Sequence, residues 1–407
     1  MNLKEKAKKA LDKKAAYGPD LKLPDSISDR KEQPLESLEN LDRRVKEVSL
    51  LSGMITDENK RSGSFYQKGD SVIYEKVQEA YGGQVEIMKM EDALETHPWL
   101  WEYWWQMVPV DMDKYTAQVE LLGRGGYFIR ILPSAKVDKP IQSCLLLDES
   151  GSSQRVHNLI VAEEGSQAQI ITGCTISPDV KEGFHLGVSE FYVKKGAELF
   201  FTMVHNWAED FHVRPRTGVL VEENGSFVNN YLLLNPVRTI QSYPRAVLNG
   251  HGAYARFNTI IYGQHHSVLD LGALIELNDK ETRGESVSRA LGTDSSNIMM
   301  RGRLKARDNS ARAHLECQGM LLSGEAIMDA VPELSVEGAP KADLTHEAAV
   351  GPVDEEAVEY LMSRGFTRDE ATSAILQGFM KVGIEGLPEV LEKMLEKTLK
   401  EMSEEVV

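Results

Sequence analysis

The sequence predicts a mainly β protein, a parallel β-helix wound as a single-stranded solenoid, with an N-terminal and a C-terminal helical domain on either side. Three observations predict it. From about residue 126, short runs rich in Val, Ile, Leu, Phe and Tyr alternate with polar turns, which is the pattern of strands. Those turns recur at positions 165, 196, 225, 252, 280, 309 and 338, giving intervals of 31, 29, 27, 28, 29 and 29 residues. A near-constant repeat of this length means stacked supersecondary units. The texture before residue 126 and after Gly351 is instead that of helices.

Residues 1–125 read as a helix-rich domain. Leu35 to Leu51 is charged with interspersed leucines, as in a solvated helix, and Tyr66 to Met90 alternates like short strands and a helix. Trp99, Trp101, Tyr103, Trp104 and Trp105 then form an aromatic cluster. Its simplest reading is a buried brace between this domain and the next. No basic residues interleave with the aromatics, so stacking on nucleic acid is not indicated.

Residues 126–350 form the solenoid core. Strand-like runs flank each turn, for example Glu190 to Lys194 before Gly196 and Leu199 to Met203 after it. A helical repeat would carry apolar stripes of period 3.6 instead. One coil buries little apolar surface, so stability comes from stacking about seven of them.

Residues 351–407 form the C-terminal helical domain. Asp354, Glu355 and Glu356 open a helix, where acids complement the helix dipole, and Arg364-Gly365 closes it. Thr367 with Glu370 forms a capping box. Ala371, Ile375 and Phe379 fall on one face of the next helix, and Leu387 to Met402 reads as a further charged helix.

Charged residues make up 27% and apolar residues 42% of the 407, with a formal charge of −17. That balance disfavours nucleic-acid binding. The lysine-rich start lacks the apolar run of a signal peptide, and no window approaches the ~20 apolar residues of a membrane span. A cytoplasmic protein without membrane contact is expected. Three cysteines, Cys144, Cys174 and Cys317, include no CxxC pair, which argues against a disulfide framework or a closed zinc site. A P-loop, GxSxG and HExxH are all absent, so the chain is not expected to be an enzyme and any ATP belongs to a partner. A secreted β-helix lyase or hydrolase would need a cluster of acids on an outer face, and none is evident.

The repeat offers a test of position. Cys317 and His346 each lie eight residues after a reference position, one 29-residue step apart. Equivalent positions on successive coils stack at about 4.8 Å, so a thiolate and an imidazole are expected side by side. Glu347 is next to His346; alternation turns it to the other face unless a bulge intervenes. The three together suit iron or zinc. The plainer reading is a buried cysteine beside a hydrogen-bonded histidine. Cys174 and His205, 31 apart and each nine residues after a reference glycine, form a weaker pair with core packing as the plainer reading. His265-His266 reads as a solvated turn.

Several segments resemble the SufB/SufD family of iron–sulfur cluster assembly scaffolds. They are Gly126 to Arg130 with Val137 to Ile141, Gly173-Cys174-Thr175, His205-Asn206-Trp207, and above all Thr345 to Gly351 through Tyr360 to Gly365 and on to Gly378-Phe379. The resemblance covers about residues 120–400. It implies a right-handed β-helix and a complex with SufC, an ABC-type ATPase. SufC would dock on the C-terminal helices, where Asp354, Tyr360, Arg364, Phe366 and Phe379 are the expected contacts. It further implies a transient iron–sulfur cluster built where two scaffold chains meet, a sulfur donor, and apo-protein acceptors. In SufB-type members a cysteine matching Cys317 and a glutamate matching Glu347 are implicated; in SufD-type members, a histidine matching His346. This chain carries all three, which suits a homodimer. One thiolate per chain cannot complete a site that usually takes four protein ligands, whereas a two-fold axis would double the set. One feature departs from the family: Tyr243-Pro244-Arg245 is followed by Ala246 where bacterial SufB members have a sulfur-accepting cysteine, so sulfide or a direct route to Cys317 is expected instead.

Overall fold

The computed structural model describes residues 2–24 and 32–380, together with residues 391, 393 and 397. Apart from those last three positions, the helix expected over Leu387 to Met402 lies outside the described residues.

Residues 127–352 form a parallel β-solenoid of about eight turns, each coil giving one strand to each of two facing sheets. The final coils show the arrangement simply. Arg283–Gly292, Arg312–Leu321 and Asp343–Pro352 are neighbours in one sheet; Val268–Leu277, Asn297–Ala306 and Ile327–Val336 are neighbours in the other. In Asn297–Ala306 the side chains of Ile298, Met300, Leu304 and Ala306 are buried inside, while Arg301, Arg303 and Lys305 are half-exposed outside. That alternation belongs to a sheet with one wet face. Ser153–Ala162, by contrast, is buried at every position, because the N-terminal region covers its outer face. Most of the turns that set the repeat hold a residue in left-handed backbone: Gly165 and Gly196 have φ of +66° and +62°, and elsewhere Asn224 or Glu281 takes this conformation. Glycine adopts it without the Cβ clash. Two strands of the second sheet are broken at Pro215 and Pro244, since proline has no N–H for the ladder.

The N-terminal region carries the short strands expected between Tyr66 and Met90. Beside the helices Leu3–Lys9, Arg43–Leu51, Met90–Thr96 and Lys114–Leu122 it contributes three strands to the solenoid sheets. Gly63–Lys68 pairs in parallel with Ile141–Leu147 and antiparallel with Ser71–Val77, while Val85–Lys89 pairs antiparallel with Tyr127–Ile131. These strands close the first end of the solenoid. The aromatic cluster forms the expected brace except for Trp101, which is 54% exposed. Trp104 stacks on His157 at 3.7 Å, Tyr103 meets Tyr192 edge-on at 4.6 Å, and Trp105 Nε1 donates to Glu120.

The caps read from the sequence are present at the C-terminal helices. Asp354 accepts from the Glu356 N–H ahead of Glu355–Ser363, Gly365 has φ of +101°, and Thr367 and Glu370 cap Arg368–Met380 reciprocally. The buried face of that helix is Ala371, Leu376 and Met380; Ile375 and Phe379 are only half-buried, so the expected stripe is displaced by one residue. Leu376 and Met380 pack on Leu234, Ile260, Tyr262 and Leu291 of the solenoid's outer surface. Among the described residues no helix is long and apolar enough to cross a membrane.

Candidate functional site

Cys317 lies on Arg312–Leu321, the penultimate strand of its sheet, with its side chain in the solenoid core and 1% exposed. Ser288 is its partner on the preceding coil and Ala348 its partner on the last. Two residues along the strand, Gly319 lies against Met300 and Met328, and a side chain there would displace Met328. Outside, Glu316, the neighbour of Cys317, accepts from Arg289 Nη2 at 2.6 Å, and the Arg289 guanidinium lies 5.8 Å from the Phe379 ring.

The expected stacking of Cys317 with His346 is corrected by the register. His346 pairs with Leu315, and Glu347 with Glu316. The step from Arg312–Leu321 to Asp343–Pro352 is 31 residues, because each of the two turns around Ile327–Val336 is one residue longer than in the coil before. Two insertions preserve parity, so His346 stays on the inward row with Cys317, displaced by two residues. That separates their Cα atoms by roughly 8 Å, from ~3.3 Å rise per residue and ~4.8 Å between strands. Glu347 stands on the outer row beside Glu316. His346 and Glu347 are both exposed, so the three residues crowd the last coil without converging within one chain.

The last coil differs from the first in having no cover. Among the described residues Asp343–Pro352 and Ile327–Val336 each have a partner on one edge only. Leu334, Val336 and Val350 belong to the inward row, yet they are 38%, 46% and 39% exposed. Unpaired edges beside uncovered apolar residues are adhesive.

Burial pushes the Cys317 thiol up to about 11, with Glu316 adding to the rise and Arg289 opposing it. The thiolate is the reactive form. Each pH unit is tenfold, so near neutrality its thiolate fraction is about a hundredfold below that of a free cysteine. In the isolated chain Cys317 is therefore expected to resist iodoacetamide at pH 8, with labelling, read by intact mass, rising as pH approaches 11. Rapid labelling at pH 8 would mean that the last coil opens spontaneously.

The second predicted pair does meet. Cys174 and His205 are register partners on Gln167–Ile176 and Glu198–Asn206, and His185 reaches them from Glu182–Val193 in the opposite sheet. Sequence reasoning missed His185. Its signal was parity, because His185 is an even number of residues from the core residues Phe191 and Val193. Burial holds both histidines neutral, pushing His185 down to about 3 and His205 well below its usual range, and raises the Cys174 thiol. Cys144 is a buried core thiol beneath the N-terminal region, beside Tyr66. Ala246 is fully buried in the core between Val219 and Ile275. His265 and His266 sit on an exposed turn, as expected.

Of the residues expected to meet a partner ATPase, Tyr360 and Phe366 are 59% and 44% exposed, and Arg364 lies against the Tyr360 ring. Asp354 is occupied as a helix cap, and Phe379 packs toward the solenoid.

The family described as "SUF system FeS cluster assembly, SufBD core domain" matches residues 145–379. An iron–sulfur cluster assembly SufBD family protein of Methanothermobacter thermautotrophicus is 43% identical over 409 residues, covering 98% of each chain. One from Archaeoglobus fulgidus is 43% identical over 361 residues, covering 89% of this chain and 94% of its own. One from Staphylococcus saprophyticus is 29% identical over 333 residues, covering 80% and 71%.

Proposed function

This chain belongs to the SufBD family of iron–sulfur cluster assembly proteins, and on that premise we propose that it is the scaffold on which a nascent cluster is nucleated. Two copies meet through their final coils, and the cluster, which is cargo rather than a resident cofactor, forms at that junction. Cys317 supplies the thiolate, while His346 and Glu347 supply the remaining ligands from each chain. The observation that carries this reading is the uncovered last coil, which presents His346 and Glu347 one strand beyond Cys317. A two-fold junction there brings a second set of the same residues and covers the exposed Val336 and Val350.

Buried and protonated, Cys317 needs an opening event. We assign it to an ABC-type ATPase of the SufC kind, docked on the exposed Tyr360, Arg364 and Phe366. ATP binding acts by favouring one arrangement of the docked helices over another. The chain of contacts from Phe379 through Arg289 to Glu316 supports such coupling, because it joins the C-terminal helix to the residue next to Cys317. With alanine at position 246, sulfur reaches Cys317 as sulfide or directly from a donor.

Anaerobic reconstitution with the ATPase, ATP, iron and sulfide, followed by absorbance and Mössbauer spectroscopy, tests the proposal. A cluster bound in less than stoichiometric amount per chain is expected; its absence overturns the scaffold reading. The burial of Cys317 favours one alternative, a structural subunit that only regulates the ATPase, under which ATP hydrolysis responds to the chain and no cluster forms. The junction has its own test. The double variant Val336→Lys, Val350→Lys is expected to sediment as a monomer at concentrations where the parent chain is a dimer, because unpaired lysines resist burial in an interface.

A further inference from the structure

We propose that the middle of the solenoid holds a second, mononuclear metal site, formed by Cys174, His185 and His205 and suited to a borderline divalent cation such as Zn2+ or Fe2+. One ligand atom from each residue lies within 4.8 Å of the others. The side chains are 0%, 2% and 1% exposed and come from three strands on two sheets. The separation of Cys174 from its partner is therefore set by register rather than by flexible loops.

Both imidazoles are already oriented. His185 Nδ1 lies 2.9 Å from Gln154 Oε1, which accepts its N–H and leaves Nε2 with a free lone pair. His205 Nδ1 lies 2.7 Å from Tyr231 Oη, and His205 Nε2 is buried without any hydrogen-bond partner. A buried polar atom left unpaired is destabilising, and a coordinated cation would give it a partner. Ligating histidines are held in this way, with the second ring nitrogen bonded to an outer oxygen. Met203 Sδ, 3.7 Å from Cys174 Sγ, is a soft donor for the fourth position. A cavity of about 30 Å³ lined in part by His205 and Met203 has room for a water.

The donor set selects the ion. One thiolate and two imidazoles without a carboxylate do not suit Mg2+ or Ca2+, which take oxygen ligands, and they do suit Zn2+ and Fe2+. Binding replaces the Cys174 S–H bond with an S–metal bond and releases one proton, leaving the site with a net charge of +1. The site lies several coils from Cys317 and does not depend on the scaffold reading. We assign it a mononuclear ion that ties the two sheets together across the core.

The test uses the full-length chain, purified without air and titrated with Co2+ as the probe, and also expressed in zinc-supplemented medium. A thiolate-to-cobalt charge-transfer band is expected in the parent and in Cys317→Ser, and is expected to vanish in Cys174→Ser. Tyr231→Phe, which removes only the outer oxygen, is expected to weaken binding about ten- to a hundredfold. A band that survives Cys174→Ser, or that is lost only in Cys317→Ser, overturns the proposal. X-ray absorption of the zinc-loaded parent keeps the test decisive if Cys174→Ser fails to fold. Sulfur with two imidazoles around zinc supports the site; an all-oxygen shell overturns it.

Discussion

Cys317→Ser is expected to reduce cluster formation on the chain to background while leaving the fold intact. The substitution exchanges one atom in a buried position, between Ser288 and Ala348 on adjacent strands, so its cost in stability should be near 1 kcal/mol. Its cost in chemistry is far larger. A thiolate is a strong, soft ligand for iron, whereas a serine hydroxyl stays protonated in the same apolar surroundings. His346→Ala and Glu347→Ala are expected to slow assembly without abolishing it. Both stand exposed on the last strand, and solvent or a symmetry-related carboxylate can take their place at a labile cluster. The measurement is the absorbance of the reconstituted complex, with circular dichroism to check folding. If Cys317→Ser assembled clusters at the parental rate, Cys317 would be only a core residue and the cluster would be nucleated at other ligands.

The physics of the coil decides which features are legible in the sequence and which are hidden. The solenoid is legible because positive-φ turns such as those at Gly165 and Gly196 recur, and because Asn297–Ala306 alternates inside and outside. The pairing of Cys174 with His205 is legible for the same reason, since turn and strand advance by the same 31 residues between those two coils. The position of His346 is not. Turn lengths vary by a residue where solvent receives the extra chain, and two such residues in the last coil move His346 from Cys317 to Leu315. Their even number is why periodicity gives the right face and the wrong neighbour. His185 is hidden because it reaches its site from the opposite sheet, a distance that periodicity within one sheet cannot measure. The strands between Tyr66 and Met90 are legible as alternation, but that Gly63–Lys68 and Val85–Lys89 join the solenoid sheets is not, because their partners Ile141–Leu147 and Tyr127–Ile131 lie far along the chain and context decides strand pairing.

The least legible residue is also the one whose loss should disturb the fold most. Glu190 faces outward from its strand, a position at which a glutamate in a solenoid is expected to be solvated, yet it is fully buried. Its carboxylate accepts from the backbone N–H groups of Trp105, Met107 and Val108 at 2.7, 2.6 and 3.1 Å, and from His157 Nε2 at 2.9 Å. These bonds fix the aromatic brace to the third coil. They also hold Trp105 in left-handed backbone, φ +59°, a conformation that costs a bulky residue about 1–3 kcal/mol and persists only where its surroundings enforce it. Glu190→Ala removes the acceptor and leaves three buried N–H groups and one imidazole nitrogen without a partner. Breaking one side of such a buried charged network costs about 3–5 kcal/mol, a large share of a typical stability of ~5–15 kcal/mol. Glu190→Gln should cost less, because its remaining oxygen still accepts from two donors while its new NH2 opposes the others. Urea denaturation followed by tryptophan emission is the measurement, since Trp104 and Trp105 lie against His157 at the point of attachment. We expect the Ala variant to lose the N-terminal brace at lower urea than the solenoid β signal, splitting one transition into two. A single transition shifted by less than about 1 kcal/mol would mean that the brace is held by its aromatic packing and that the Glu190 carboxylate is dispensable.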